Sequence, residues 1–198
     1  AWDMASAADV SMLTNVKNAV FRDGILTATS AQPHPDDPSI YFNTPPPIDT
    51  TRFRYLTYRM RLRDDQHIGR GSVARVLWWT TADVGRTASV TQDIVVYEGW
   101  RTVSVDLRTV PLEPNSYTTW SNTNKRGLRL DPHEFPEERT FDLDYVLLTA
   151  NDRASGKYAV RYHVNDADGQ QPSVQVFYTT ERKGVNGTPI ACGGGAPP

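Results

Sequence analysis

Aromatic rings and arginine side chains are the groups in this sequence whose types and spacing could do chemistry. A flat indole or phenol ring can stack on the C–H face of a sugar, and planar polar groups beside it can reach the hydroxyls. Trp78 and Trp79 are adjacent in a predicted strand, so they point to opposite faces, and we predict that Trp79 is the exposed one. Tyr117 and Trp120 lie among Thr, Ser and Asn residues, which favours recognition. The alternative is that Trp120 anchors its loop on the core.

Three arginines form a second candidate group. Arg59 and Arg61 alternate along one predicted strand, and Arg75 lies on the next. Guanidinium groups on one outward sheet face could bind an acidic glycan or a carboxylate-rich partner. The alternative is a solvated face balanced by carboxylates such as Asp93.

The sequence offers little for catalysis. His34, His67, His133 and His163 have no metal-binding spacing, and we expect them at the surface. No Gly-x-Ser-x-Gly motif occurs. A pair of glycosidase carboxylates could lie among the 23 acidic residues, since its geometry is not visible in sequence. We therefore predict a non-catalytic protein, and a glycan-active enzyme is the less favoured alternative.

Alternation of apolar and polar residues predicts the elements that position these groups. From Tyr55 to Leu62, apolar residues occupy every second position, which is typical of a half-buried antiparallel strand. Similar runs cover residues 73–79, 89–97, 101–107 and 141–148, with Pro-, Gly- and Asp-rich turns between them. The residues between 107 and 128 are predicted to form a structured surface loop. The pattern indicates an all-β sandwich or barrel.

Composition excludes two classes of partner. The 198 residues carry a formal net charge of −2 and a pI of about 6.1, so no basic excess exists to attract nucleic acid. No run of 18 apolar residues occurs, and we predict no membrane insertion. Cys192 is the single cysteine, which excludes an internal disulfide framework.

The sequence changes character after Ala150. Residues 151–156 read as a polar linker, residues 158–164 and 173–180 as two further strands, and the Gly- and Pro-rich tail as flexible. We therefore predict a sandwich over residues 1–150, and over 151–198 a hairpin or partial second sandwich. Two strands alone are marginal in water, so they must pack on the first domain, pair with another chain, or belong to a larger domain.

The order of several phrases resembles the galactose-binding-like jelly-roll modules, especially carbohydrate-binding modules of bacterial secreted or cell-surface proteins. These phrases include residues 1–3 (AWD), 23–26 (DGIL), 99–107 (GWRTVSVDL), 128–132 (LRLDP) and 141–148 (FDLDYVLL). Residues 156–191 resemble the first part of an immunoglobulin-like or fibronectin-like repeat, whose later strands are absent.

The resemblance implies a jelly-roll β-sandwich, an extracellular or cell-surface location, and binding of a glycan or polysaccharide without catalysis. It also implies a structural calcium between early and late strands, with Asp3, Asp23 and Asp144 as candidate ligands by position. The alternative is a structural or assembly module of a cell-surface or filament protein, in which the C-terminal strands pair with a neighbouring chain.

Overall fold

Strands in which apolar and polar residues alternate form two antiparallel sheets. The computed structural model describes residues 1–44, 46–63, 72–80, 88–97, 99–121 and 124–150. Sheet I has the strand order β2-β3-β11-β5-β9, and sheet II has the order β1-β4-β10-β6-β7, with β8 also paired to β6. The strands are β1 (Val10–Thr14), β2 (Val16–Arg22), β3 (Ile25–Ser30), β4 (Ser39–Phe42), β5 (Tyr55–Leu62), β6 (Val73–Trp79), β7 (Ser89–Val90), β8 (Ile94–Val95), β9 (Arg101–Asp106), β10 (Gly127–Asp131) and β11 (Thr140–Thr149).

The hydrophobic core lies between the two sheets. From β5, the side chains of Leu56, Tyr58 and Met60 are almost completely buried, as the alternation predicts. From β6 on the other sheet, Val76 and Trp78 meet them. This arrangement is a jelly-roll β-sandwich, and the prediction of fold class is confirmed.

The structure contains four strands, β1 to β4, in a region where the sequence patterns named none. β2 lies at the edge of sheet I and exposes four consecutive residues around a β-bulge, so it shows no alternation. The turn from β2 to β3 uses Asp23 and Gly24, both with positive φ (53° and 72°), which fits a two-residue hairpin turn. The predicted strand over 89–97 is two short strands, and the described residues of the predicted loop after Leu107 contain no strand before β10 begins at Gly127.

Several predictions concern residues outside the described ranges. They are the linker at 151–156, the strands at 158–164 and 173–180, His67, His163 and the tail with Cys192. The one helical element of the described residues is the short 3-10 turn Ala7–Asp9. Within the described ranges, no helix is long and apolar enough to span a membrane.

Candidate functional site

The outward face of sheet I is polar along β5, because apolar and polar residues alternate in this strand. Thr57, Arg59 and Arg61 point away from the core that their neighbours fill. β5 lies between β9 and β11, so its outward residues are flanked on both sides. Arg59 pairs with Thr102 of β9 and with Tyr145 of β11. Residues paired across antiparallel strands share a face, so polar and aromatic groups converge on β5.

Trp100 lies on this face directly before β9. The Cζ atoms of Arg59 and Arg61 lie 4.3 Å and 4.9 Å from the centroid of its indole ring. Contacts of this kind contribute about 0.5–2 kcal/mol each, depending on desolvation. Arg59 also forms an ion pair with Asp144 of β11. The Arg59 side chain therefore contacts both an aromatic ring and a carboxylate.

Asp142 of β11 is the buried carboxylate of this face, and its side chain is 1% exposed. Its Oδ2 accepts hydrogen bonds from Nε of Arg61 (2.6 Å) and Nε of Arg63 (2.8 Å). Its Oδ1 accepts from the Thr27 hydroxyl (2.5 Å) and from Nη2 of Arg63 (2.8 Å). Burial alone raises the pKa of Asp142, but the hydrogen bonds from Arg63, Thr27 and Arg61 outweigh it and lower the pKa.

We call this set of side chains the arginine–tryptophan platform; it consists of Arg59, Arg61, Arg63, Trp100, Asp142 and Asp144. Within the part of the chain that the structure describes, its three guanidinium groups pair with two carboxylates. It therefore offers an aromatic ring, hydrogen-bond donors held in place, and a small excess of positive charge. Both carboxylates are engaged by arginines, so this arrangement suits binding better than proton transfer.

Two of the three predicted arginines lie on the platform, and the third does not. Arg75 belongs to β6 in sheet II, so the expectation that it shares a face with Arg59 and Arg61 is wrong. The reason is that the chain crosses to the opposite sheet between β5 and β6. Arg75 lies 2.8 Å from Asp93 and 3.2 Å from Glu134. For Arg75 the alternative interpretation, a face balanced by carboxylates, is correct.

Trp79 points away from the core, opposite to Trp78, as predicted, but it is not exposed. Its side chain packs over the backbone of Gly127 on β10, and the residue is only 8% accessible. Its ring meets Tyr41 edge-on at 5.8 Å. The prediction of an exposed ring is therefore wrong, because the missing side chain at position 127 lets the indole lie against the sheet.

Trp120 is completely buried, so the expectation that it contacts a ligand is wrong. Its indole N–H donates to the Phe53 carbonyl (2.7 Å), and its ring packs edge-on against Trp78 at 5.3 Å. The alternative, a loop anchor folded onto the core, is correct. Tyr117 is 66% exposed, and its neighbours Ser116 and Thr118 hydrogen-bond to β7, beside the edge of sheet II. Its role as a ligand contact stays a prediction.

The three aspartates predicted as calcium ligands do not form a common site. Asp144 is paired with Arg59, and Asp23 lies 3.4 Å from Nε of Arg22. In the described ranges, no group of three or more His, Cys, Asp or Glu side chains could hold a metal ion. Asp3 instead lies beside Asp9, whose pKa is raised by burial and by the charge of Asp3. Calcium binding itself stays a prediction.

His133 is fully buried, which contradicts the expectation of a surface histidine. Its Nδ1 accepts a hydrogen bond from the backbone N–H of Phe135 (3.0 Å), and its ring meets Phe141 edge-on. Burial lowers the pKa of His133 to about 4, and the positive charge of Arg139 contributes to a smaller extent. The Pro-rich sequence around His133 suggested an exposed turn, but the segment folds back over the core.

Four platform residues are not among the ligand-binding residues that the sequence predicts. They are Trp100, Arg63, Asp142 and Asp144, of which Asp144 is predicted as a calcium ligand. One signal was available, since Asp142 lies between the apolar residues Phe141 and Leu143 and must therefore face outward. Its pairing with Arg61, about 80 residues away, is a tertiary contact.

No protein-family model matches this chain, and no curated protein is similar to it. Among solved structures, the protein PfGH50B matches with a TM-score of 0.52 and 10% identity, over 74% of this chain and 23% of that one. The agarase AgWH50C matches with a TM-score of 0.50 and 12% identity, over 71% of this chain and 22% of that one. The chain thus spans less than a quarter of either protein. The family 11 carbohydrate-binding module of a Clostridium thermocellum cellulosomal cellulase matches with a TM-score of 0.48 and 10% identity, over 72% of this chain and 92% of that one. At these identities the likeness concerns the fold alone.

Proposed function

We propose that this domain binds a glycan without catalysing a reaction, and that the arginine–tryptophan platform is its binding surface. The observation that carries the proposal is the position of the half-buried Trp100 on the outward face of sheet I, with the guanidinium groups of Arg59 and Arg61 against its ring. An aromatic ring beside fixed hydrogen-bond donors suits the alternating apolar and hydroxyl-bearing surfaces of a sugar. The same fold occurs within an agarase, so a glycan ligand is compatible with it.

Two buried carboxyl groups of the sandwich, those of Asp142 and Asp131, are poorly placed to act in glycan hydrolysis. A glycosidase needs a general acid whose carboxyl group reaches the substrate. Asp142 is buried, with both oxygens engaged and a lowered pKa. On sheet II, burial raises the pKa of Asp131 to about 7, while Arg129 opposes the rise through two hydrogen bonds. Asp131 is only 3% accessible, which keeps its carboxyl group from an external polymer.

Glycan polymers are found mainly outside cells, so the proposal includes an extracellular or cell-surface location. Fractionation of producing cells tests this directly. A structural calcium is a further part of the proposal. Binding measured after treatment with a chelator, and again after calcium is restored, tests whether the metal supports the fold or the site.

Affinity electrophoresis of the full chain on a panel of soluble polysaccharides tests the binding surface. Trp100→Ala should weaken retention about tenfold, since the ring and its guanidinium contacts are removed together. Tyr117→Ala is the matched variant, because it removes an exposed aromatic ring beside sheet II. If Tyr117→Ala abolishes retention and Trp100→Ala does not, the site is the loop before β10. If neither change matters, or if the chain cleaves a polysaccharide, the proposal is wrong.

A further inference from the structure

Arg61 uses only one edge of its guanidinium group in hydrogen bonds. Its Nε donates to Oδ2 of Asp142, and among the described residues no acceptor contacts Nη1 or Nη2. Asp142 has little capacity left to accept them, because it already receives four hydrogen bonds from Arg61, Arg63 and Thr27. Four N–H groups of Arg61 therefore remain for a ligand.

This free edge of Arg61 is held in place. The Nε hydrogen bond to a carboxylate buried in the sheet restrains one side of the guanidinium, and Trp100 lies against it with its ring centroid 4.9 Å from Cζ. The Arg61 side chain is 37% exposed, so solvent and ligands reach it. A guanidinium restrained in this way loses less entropy when it binds a planar oxyanion than a mobile surface arginine does.

The surroundings of Arg61 carry a positive excess. Among the described residues, the carboxylates that pair with Arg59, Arg61 and Arg63 are Asp142 and Asp144, and the side chain of Arg63 is 46% exposed. A ligand that reaches the Trp100 ring also meets the guanidinium groups lying against it. Neutral sugars would leave this charge uncompensated, whereas carboxylate or sulfate groups would pair with it.

We infer that the glycan bound by the platform is acidic, and that a carboxylate or sulfate group on it is bound by the Nη edge of Arg61. This inference rests on the proposed function. It adds the ligand class, namely a glycan that carries anionic groups. Carboxylate and sulfate share the oxyanion geometry that a guanidinium recognises in a bidentate manner.

Biolayer interferometry with backbone-matched polymers separates these possibilities. One pair is polygalacturonate and its methyl-esterified form, and the other is a sulfated galactan and the same galactan after desulfation. The wild-type chain should bind the charged member of at least one pair about tenfold more tightly, and added salt should weaken that binding. The pair that shows the difference identifies the anion as carboxylate or sulfate.

Arg61→Gln removes the proposed contact, and Arg75→Gln is its control because it removes the same charge from the outward face of sheet II. Arg61→Gln should weaken binding to the acidic polymer about tenfold. Arg75→Gln should leave it unchanged. Thermal melting shows whether each variant is folded. If a variant does not fold, the binding of the wild-type chain to the charged and neutral polymers still tests the inference.

The outcomes separate this inference from the proposed function. Equal binding to charged and neutral members, or preference for a neutral polymer, overturns the acidic ligand and leaves glycan binding intact. Equal losses for Arg61→Gln and Arg75→Gln would mean a nonspecific charge effect and would also overturn it. Absence of binding to every polymer in both this experiment and the wider panel overturns both.

Discussion

Gly127 and Trp79 face each other across β10 and β6 so closely that no side chain fits at position 127. A Cβ atom added to Gly127 would lie 1.9 Å from Cζ2 and 2.0 Å from Cε2 of the Trp79 indole. The ring therefore occupies the space that a residue on β10 would normally fill. This contact covers the outward face of sheet II around Trp79.

Gly127→Ala should destabilise the domain by about 3 kcal/mol, at the upper end of the range for overpacked sites, because the ring must move away from the sheet. Chemical denaturation of the single and double variants measures the effect. In a Trp79→Ala background the same change should cost less than about 1 kcal/mol, since the obstructing ring is gone. Equal costs in the two backgrounds would contradict the packing described here.

Asp142→Asn should cost about 2 kcal/mol of stability, because it weakens the charge-assisted hydrogen bonds that Arg61 and Arg63 donate to a buried acceptor. Asp144→Asn is the control on the same strand. Its carboxylate is 29% exposed, and its one ion-pair partner among the described residues is Arg59, so its loss should cost less than about 1 kcal/mol. Urea unfolding of both variants checks the difference. Similar costs would show that Asp142 does not organise the platform.

Trp120→Phe should lower stability without changing glycan binding. The smaller ring leaves a cavity beside Trp78 and removes the hydrogen bond to the Phe53 carbonyl. The expected loss is about 2 kcal/mol. Binding is measured well below the melting temperature of the variant. A large fall in affinity for a fully folded Trp120→Phe chain would place this residue in the site after all.

The domain should lose stability in mild acid because of His133. Its folded-state pKa of about 4 lies below the ordinary value of 6.5, so the unfolded chain binds a proton more readily. The stability is fully present above pH 6.5 and falls as the pH drops from 6.5 to 4, by about 3 kcal/mol in total. His133→Asn keeps an acceptor for the Phe135 N–H and removes the titration. Urea unfolding across this range should show a shallower fall for the variant. Equal slopes would contradict the buried neutral histidine.

The elements that follow from local pattern were predicted well. Alternation along β5 correctly assigned Leu56, Tyr58 and Met60 to the core and Arg59 and Arg61 to the outward face. It also placed Trp78 and Trp79 on opposite faces. This succeeds because side-chain direction in a strand depends on the backbone geometry of that strand alone.

The composition of the site depends on which strands become neighbours. β5 precedes β6 in sequence, but its partners are β9 and β11, so Arg59 and Arg61 meet Trp100, Asp142 and Asp144 rather than Arg75. Exposure of an outward residue likewise depends on the residue opposite it, as Gly127 shows for Trp79. The all-β class and the direction of each side chain in β5 and β6 follow from the sequence pattern, because they are local properties of the chain. Which faces meet and which rings are covered follows from strand pairing and packing, which are contacts between residues far apart in sequence.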